Sequence, residues 1–194
     1  MSARRIVLAS TSRYRADLLR RLLEDFEPIG PDVDESPLPD ETPAARAGRL
    51  ASAKASAVAE NLRDALVIGS DQVAALGDAV LHKPGNIENA REQLRASSGN
   101  VVDFFTGVCV IDTRSGQSWK ALDHTRVFFR ELGRDEIERY LDREHPFDCA
   151  GSFKSEAAGI ALFERIESED PTALVGLPLI ALARLLRQAG LAVP

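Results

Sequence analysis

The sequence predicts an α/β domain built on a central mixed sheet flanked by helices, and three observations predict it. Apolar, partly β-branched runs alternate with stretches of helical periodicity through the first hundred residues, the pattern of strands joined by crossover helices. Two long strand-like runs, Val101 to Ile111 and Gln117 to Arg130, are joined at Thr113-Arg114-Ser115-Gly116, whose turn chemistry predicts an antiparallel hairpin. The 194 residues suffice for one compact domain with a substantial core, and no linker, internal repeat or low-complexity stretch divides residues 1–194.

The elements follow in order. Arg5 to Ala9 reads as a strand and Ser10-Thr11-Ser12 as a turn, with Ser12 a natural N-cap for a helix on which Leu18, Leu19, Leu22 and Leu23 recur. A second strand over Phe26 to Ile29 runs into the acidic, proline-rich segment Pro31 to Pro43. That segment ends in Thr42-Pro43, an N-cap followed by proline at the first position of an alanine-rich helix reaching about Asn61. Ala65 to Ser70 reads as a short buried strand, and a loop through Pro84 leads to a helix over Ile87 to Ala96. After the hairpin come a helix over Arg134 to Arg143, an irregular stretch at Cys149 to Phe153, a strand near Ile160 to Phe163 and a last helix over Leu177 to Ala189.

Composition removes several function classes. With 30 acidic and 24 basic residues the net charge is -6, which disfavours wrapping a polynucleotide, although a small anion needs only a few local cations. Cys109 and Cys149 lie far apart without Cys-x-x-Cys spacing, so neither a disulfide framework nor a zinc site is signalled and a reducing cytoplasm is expected. The apolar run near the start is too short for a signal-peptide core. Ala173 to Leu186 is broken by Gly176, Pro178 and Arg184, so no membrane span is expected.

Several residues could carry chemistry. Ser10-Thr11-Ser12 with Arg13 and Arg15 sits between a strand and a helix start, where free amides favour phosphate, although Ser12 could equally be no more than a cap. Lys54 falls within the stripe Ala47, Leu50, Ala51, Val58, where a cation must either snorkel to water or meet an anionic partner. On the stripe alone, methionine at 54 should leave stability equal or higher. Asp32, Asp34 and Glu35 follow the second strand, and Asp71 follows Leu66-Val67-Ile68-Gly69-Ser70; carboxylates at strand ends suit a hard cation or general-base work. Asp71 lies in a segment that is apolar on both sides, Leu66-Val67-Ile68 before it and Val73 after it, so a metal or a lysine should accompany it. Lys83-Pro84 places another cation in a rigid loop, and Gly107 after Thr106 could mark a bulge. Lys154 and Glu156 would share a face if Cys149 to Glu156 is extended. His82, His124 and His145 lack close metal spacing and are read as structural or surface residues.

Taken in order, Ser10-x-Ser12 with Arg15, Asp34-Glu35, Lys54-Ala55, Ile68-Gly69-Ser70-Asp71-Gln72-Val73, Lys83-Pro84, Ser98-Gly99, Thr106-Gly107 and Val175-Gly176-Leu177-Pro178 resemble the Maf family of nucleotide pyrophosphatases. The resemblance implies a two-lobed α/β fold with its cleft between lobes, a magnesium or manganese ion, a tendency to form homodimers, and cleavage of a nucleoside triphosphate to monophosphate and pyrophosphate. It implies Asp71 as proton acceptor, Glu35 with Asp71 where the cation sits, and Ser10, Ser12, Arg15, Lys54 and Lys83 around the triphosphate. Whether Asp71 serves as base, metal ligand or both stays open. Cys149 to Glu156, with Tyr14 before Arg15, resembles the branch that hydrolyses 7-methyl-GTP, which implies Tyr14, Gln72 and Glu156 as base-selecting residues. The alternatives are the branch acting on dTTP and UTP, which carries paired arginines after the serines, and a nucleotide-binding regulator of septum formation.

Overall fold

In the computed structural model, which describes residues 4–194, the chain forms seven strands and five α-helices among those residues. They are β1 (Arg5–Ala9), α1 (Arg13–Leu19), β2 (Glu27–Pro28), α2 (Pro43–Ala59), β3 (Ala65–Leu76), β4 (Ala79–Leu81), α3 (Ile87–Ser97), β5 (Val101–Asp112), β6 (Ser118–Phe129), α4 (Arg134–Glu144), β7 (Phe163–Glu167) and α5 (Leu179–Gln188). The sheet runs β2-β1-β3-β5-β6-β7, with β4 beside β3. It is mixed: β1 pairs in parallel with β2 and β3, whereas β4 and β7 run antiparallel to β3 and β6. The chain divides into two compact units, one comprising the chain through Gln72, Thr106–Asp123 and Asp170–Pro194, the other Val73–Phe105 and His124–Glu169.

Side-chain alternation organises the first unit. Ile6, Leu8, Leu66, Ile68, Val108 and Val110 form one apolar face, which packs with Leu18 and Leu19 of α1 and Leu182, Leu185 and Leu186 of α5. The intervening Val7, Ala9, Ala65, Val67 and Cys109 form the opposite face, which packs with Ala55 and Val58 of α2. On that second face two glycines let α2 lie close. A Cβ on Gly69 would overlap the Ala51 carbonyl oxygen and sit 2.7 Å from the Ala55 nitrogen, and one on Gly107 would sit 2.5 Å from the Ala47 oxygen. Gly107 thus marks a close backbone approach. Because the obstructing atoms are backbone, Gly69→Ala is expected to push α2 off the sheet and destabilise the protein by about 1–3 kcal/mol, read as a lower thermal midpoint. An unchanged midpoint would show that the helix yields freely.

The second unit is built around aromatic rings. Phe153 meets Phe104, Phe129 and Phe163 edge to face, with centroids 5.3, 5.7 and 4.8 Å away. Leu94 of α3, Ile137 and Leu141 of α4 and Leu162 are buried in the same unit. Arg91 of α3 grips Glu138 of α4 through two bonds, at 2.6 and 2.8 Å.

Three boundaries differ from the sequence expectation by more than two residues. β3 does not stop at Ser70: Gln72 to Leu76 continues the run, Ala74 to Leu76 pairs with β4, and Gly77 turns the chain at φ 57°. α1 ends at Leu19, and Arg21 to Leu23 continue only through turn hydrogen bonds. β7 starts at Phe163, where the expected strand ends, because Ala158–Leu162 wind into a 3-10 turn with Gly159 against the Lys154 backbone. No helix among the described residues is long and apolar enough to cross a membrane.

Candidate active site

The site grows from the contact of α2 with β3. Gly69 and Asp71 share the strand face turned to α2, two residues apart, so the close approach of Gly69 to Ala51 and Ala55 brings Lys54, on that same turn of α2, to Asp71. There Lys54 Nζ donates to Asp71 Oδ1 at 2.6 Å and reaches Glu35 Oε1 at 2.7 Å. Lys54 and Asp71 are each 7 % exposed, whereas the Glu35 side chain is 55 % exposed. Lys54 therefore meets acids instead of snorkelling to water. Asp71 lies inside β3, seven residues into the strand's run from Ala65 to Leu76, and not after its end.

This pairing reverses the expectation that methionine at 54 leaves stability equal or higher. Removing the ammonium leaves the buried Asp71 carboxylate without its cation, which costs up to about 3–5 kcal/mol when a buried charge is orphaned. Lys54→Met is now expected to lower the thermal midpoint as well as activity. A midpoint equal to the wild type's would mean that Asp71 finds another partner or water.

Glu35 has no regular secondary structure around it, and arginines hold it. Arg46 of α2 donates to the Glu35 carbonyl at 2.8 Å and Arg49 to the Ser36 carbonyl at 3.0 Å. Arg49 simultaneously grips Glu41 at 2.5 and 2.7 Å. That bond holds the Glu41 carboxyl down to about 2. Hydrogen bonds from Ser36 likewise hold the Asp34 carboxyl below its ordinary value, the backbone N–H donating at 2.9 Å. Asp32 is exposed. Arg46 and Arg49 escaped the sequence reading. The available signal was two arginines one helical turn apart, just after an acidic loop.

The phosphate candidates of the first turn lie in the same unit. Ser12 caps α1 by accepting from the Arg15 N–H, and the buried Ser10 hydroxyl oxygen accepts from the Ser12 N–H at 3.1 Å. Arg15 donates from Nε to the Gly176 carbonyl at 2.9 Å. Burial pulls its guanidinium pKa down, while Asp71 and Glu35 pull it back up. Gly176 is left-handed at φ 117°, and its carbonyl is also within 3.0 Å of the Ser70 hydroxyl. Gln72 shares its amide hydrogens among Thr106 Oγ1 and the carbonyls of Ala173 and Leu174, at 3.0 to 3.1 Å. Its nitrogen thus serves the protein. The turn that carries these carbonyls is fixed by Asp170, 3 % exposed, which accepts from the Thr172 hydroxyl and the Ile180 N–H at 2.6 Å each and so starts α5. A cap nine residues before its helix begins leaves no local signature.

Tyr14 is partly buried beneath its neighbour: the Arg13 guanidinium lies 4.8 Å from the ring centre and donates to the phenol oxygen at 2.9 Å. A cation already rests on this ring.

Lys83 and Glu156 belong to the second unit and are both exposed. The Lys83 loop is braced by α3, with Asn89 donating to the Pro84 carbonyl and Gln93 to the His82 carbonyl, each at 2.9 Å. Lys154 and Glu156 do not share an extended face. The chain turns after Lys154, whose ammonium donates to the Glu144 carbonyl and whose N–H donates to the Tyr140 hydroxyl oxygen at 3.0 Å. Burial pushes the Tyr140 phenol pKa up. His82, His124 and His145 are exposed, and His124 pairs with Asp103 at 2.7 Å.

Glu35 and Asp71 each bring a carboxylate oxygen to Lys54 Nζ, so the two acids lie close enough together to share a cation. Such hard donors fit a magnesium-sized cation, which typically takes one or two carboxylates and completes its shell with phosphate oxygens and water. Among the described residues no three His, Cys, Asp or Glu side chains converge, so Glu35 and Asp71 would be its principal protein ligands.

Residues 5–189 match the family described as Maf-like protein. A 7-methyl-GTP pyrophosphatase of Xanthomonas axonopodis pv. citri is 57 % identical over 190 residues, 98 % of this chain and 99 % of that protein. Another, from Nitrosococcus oceani, is 52 % identical over 185 residues, 95 % of this chain and 93 % of that protein. A HAM1 protein from Coxiella burnetii shares the fold with a TM-score of 0.50 at 15 % identity, covering 97 % of this chain and 99 % of that one. With a family match over nearly its whole length and relatives above half identity, the chain belongs to the Maf family.

Proposed function

We propose that this protein hydrolyses 7-methyl-GTP to 7-methyl-GMP and pyrophosphate. The observation that carries the reading is the convergence of Glu35 and Asp71 on Lys54, two acids and a cation held together with Arg15 in the same unit. The names of the relatives supply the substrate. Water attacks the α-phosphorus, the bond from that phosphorus to the oxygen bridging to the β-phosphorus breaks, and pyrophosphate departs with the bridging oxygen. Asp71 takes the proton of the attacking water. Lys54, already within hydrogen-bonding distance of Asp71, orients that carboxylate and offsets the phosphate charge. Arg15, with Ser10, Ser12 and Lys83, holds the triphosphate.

A divalent cation, magnesium or manganese, would be held by Glu35 and Asp71 and would supply charge neutralisation at the phosphates. Tyr14 and Glu156 read the base, with Gln72 bracing the turn behind the site. The test is product identity. Purified protein with magnesium or manganese should release pyrophosphate from 7-methyl-GTP, in preference to GTP, UTP and dTTP. Release of orthophosphate would assign terminal-phosphate hydrolysis instead.

A further inference from the structure

Gln93 of α3 stands at a junction that the mechanism above does not use. Its side-chain amide donates to the carbonyl of His82, the residue before Lys83, at 2.9 Å. At its other end it accepts from the Ser152 hydroxyl at 2.6 Å. One rigid amide thus ties the Lys83 loop to the turn that leads to Glu156.

The Ser152 end is unusual. Ser152 is fully buried and left-handed, with φ 61°, a conformation that a side-chain-bearing residue holds only when its surroundings over-determine it. On its far side Phe153 is locked among three rings and the Lys154 N–H is held by Tyr140. The path toward Glu156 is therefore set at Ser152, and Gln93 is the side chain that binds its hydroxyl. An amide suits this place because it donates at one end and accepts at the other. A carboxylate keeps only the accepting end, and leucine neither.

We propose that Gln93 is a positioning residue for substrate selection: by holding the His82 carbonyl and the Ser152 hydroxyl at the two ends of one amide, it sets Lys83 and Glu156 in a common register. It rests on the function proposed above, in which those two residues bind one nucleotide. Gln93 itself touches no substrate.

The test is steady-state kinetics on 7-methyl-GTP and UTP with wild type, Gln93→Leu, Gln93→Glu and Ser152→Gly. Glycine at 152 accepts the positive φ without strain but lacks the hydroxyl, so that variant keeps the turn while releasing it from Gln93. Gln93→Leu should lower kcat/KM for 7-methyl-GTP by about tenfold, chiefly through KM, and that for UTP by less than about threefold. Ser152→Gly should erode the same preference. Gln93→Glu, which retains the acceptor for Ser152, should keep the preference and raise KM for both nucleotides. Proportional losses on both nucleotides in Gln93→Leu, or an unchanged ranking in Ser152→Gly, would reduce Gln93 to a structural brace and overturn the proposal. The wild-type measurements separate the two failures. A wild type without preference for 7-methyl-GTP refutes the proposed function and this inference with it, whereas a selective wild type with equally selective variants refutes the role of Gln93 alone.

Discussion

Asp71→Asn is expected to abolish most turnover while the protein remains folded. The amide is almost isosteric with the carboxylate and can still accept from Lys54 Nζ, now 2.6 Å away. It cannot take the proton of an attacking water, and it is a poor ligand for a hard cation. Loss of a positioned general base is worth about 10²–10⁴-fold, so kcat on 7-methyl-GTP should fall by that order. Asp71 sits mid-strand, its backbone tied into β3, and the Lys54 charge retains Glu35 as a partner. Circular dichroism should therefore match the wild type, and the thermal midpoint should fall modestly. Wild-type kcat in the folded variant would remove Asp71 from the mechanism.

Glu156→Gln should reorder the substrates. A guanine edge presents the N1 and N2 hydrogens as donors, which a carboxylate accepts together, whereas uracil or thymine alternates donor and acceptor and suits an amide. Methylation at N7 makes the base cationic, strengthening its pairing with a carboxylate and its stacking on an aromatic ring. The Tyr14 ring already carries the Arg13 guanidinium 4.8 Å from its centre, so a cationic base would replace one cation with another. Together the two residues could supply a preference on the order of a hundredfold if both act in the transition state. Glu156→Gln should lower kcat/KM for 7-methyl-GTP and raise the relative use of UTP, with Tyr14→Arg pushing the same way. An identical ranking of 7-methyl-GTP, GTP and UTP across wild type and both variants would show that neither residue reads the base.

Much of the frame was legible from residues close together in sequence. The β1 strand, the Ser12 cap, the Thr42-Pro43 helix start and the hairpin turn at 113–116 are set by local propensity and turn chemistry, and the structure has each of them. Asp71 was legible as a carboxylate in apolar company needing a cation, because burial of a charge demands a partner wherever it occurs. Its position within β3 was not. The apparent break at Asp71 is bridged by pairing of Ala74 to Leu76 with β4, a contact the local pattern does not encode.

Sequence alone determined which faces Lys54 and Asp71 occupy, through the periods of helix and strand. Only the tertiary structure decided that those faces meet. Lys54 had two outcomes open to it, water or an acid, and their difference depends on how closely α2 approaches β3, which Gly69 and Gly107 permit. The same holds for Arg46 and Arg49 on the Glu35 loop, Asp170 capping α5, and Gln93 between His82 and Ser152. Apart from the spacing of Arg46 and Arg49 on one helical face, each joins residues whose side chains carry no periodic or motif signal toward one another. Periodicity assigns a side chain to a face, but the partner on that face is chosen by close packing of elements distant in the chain.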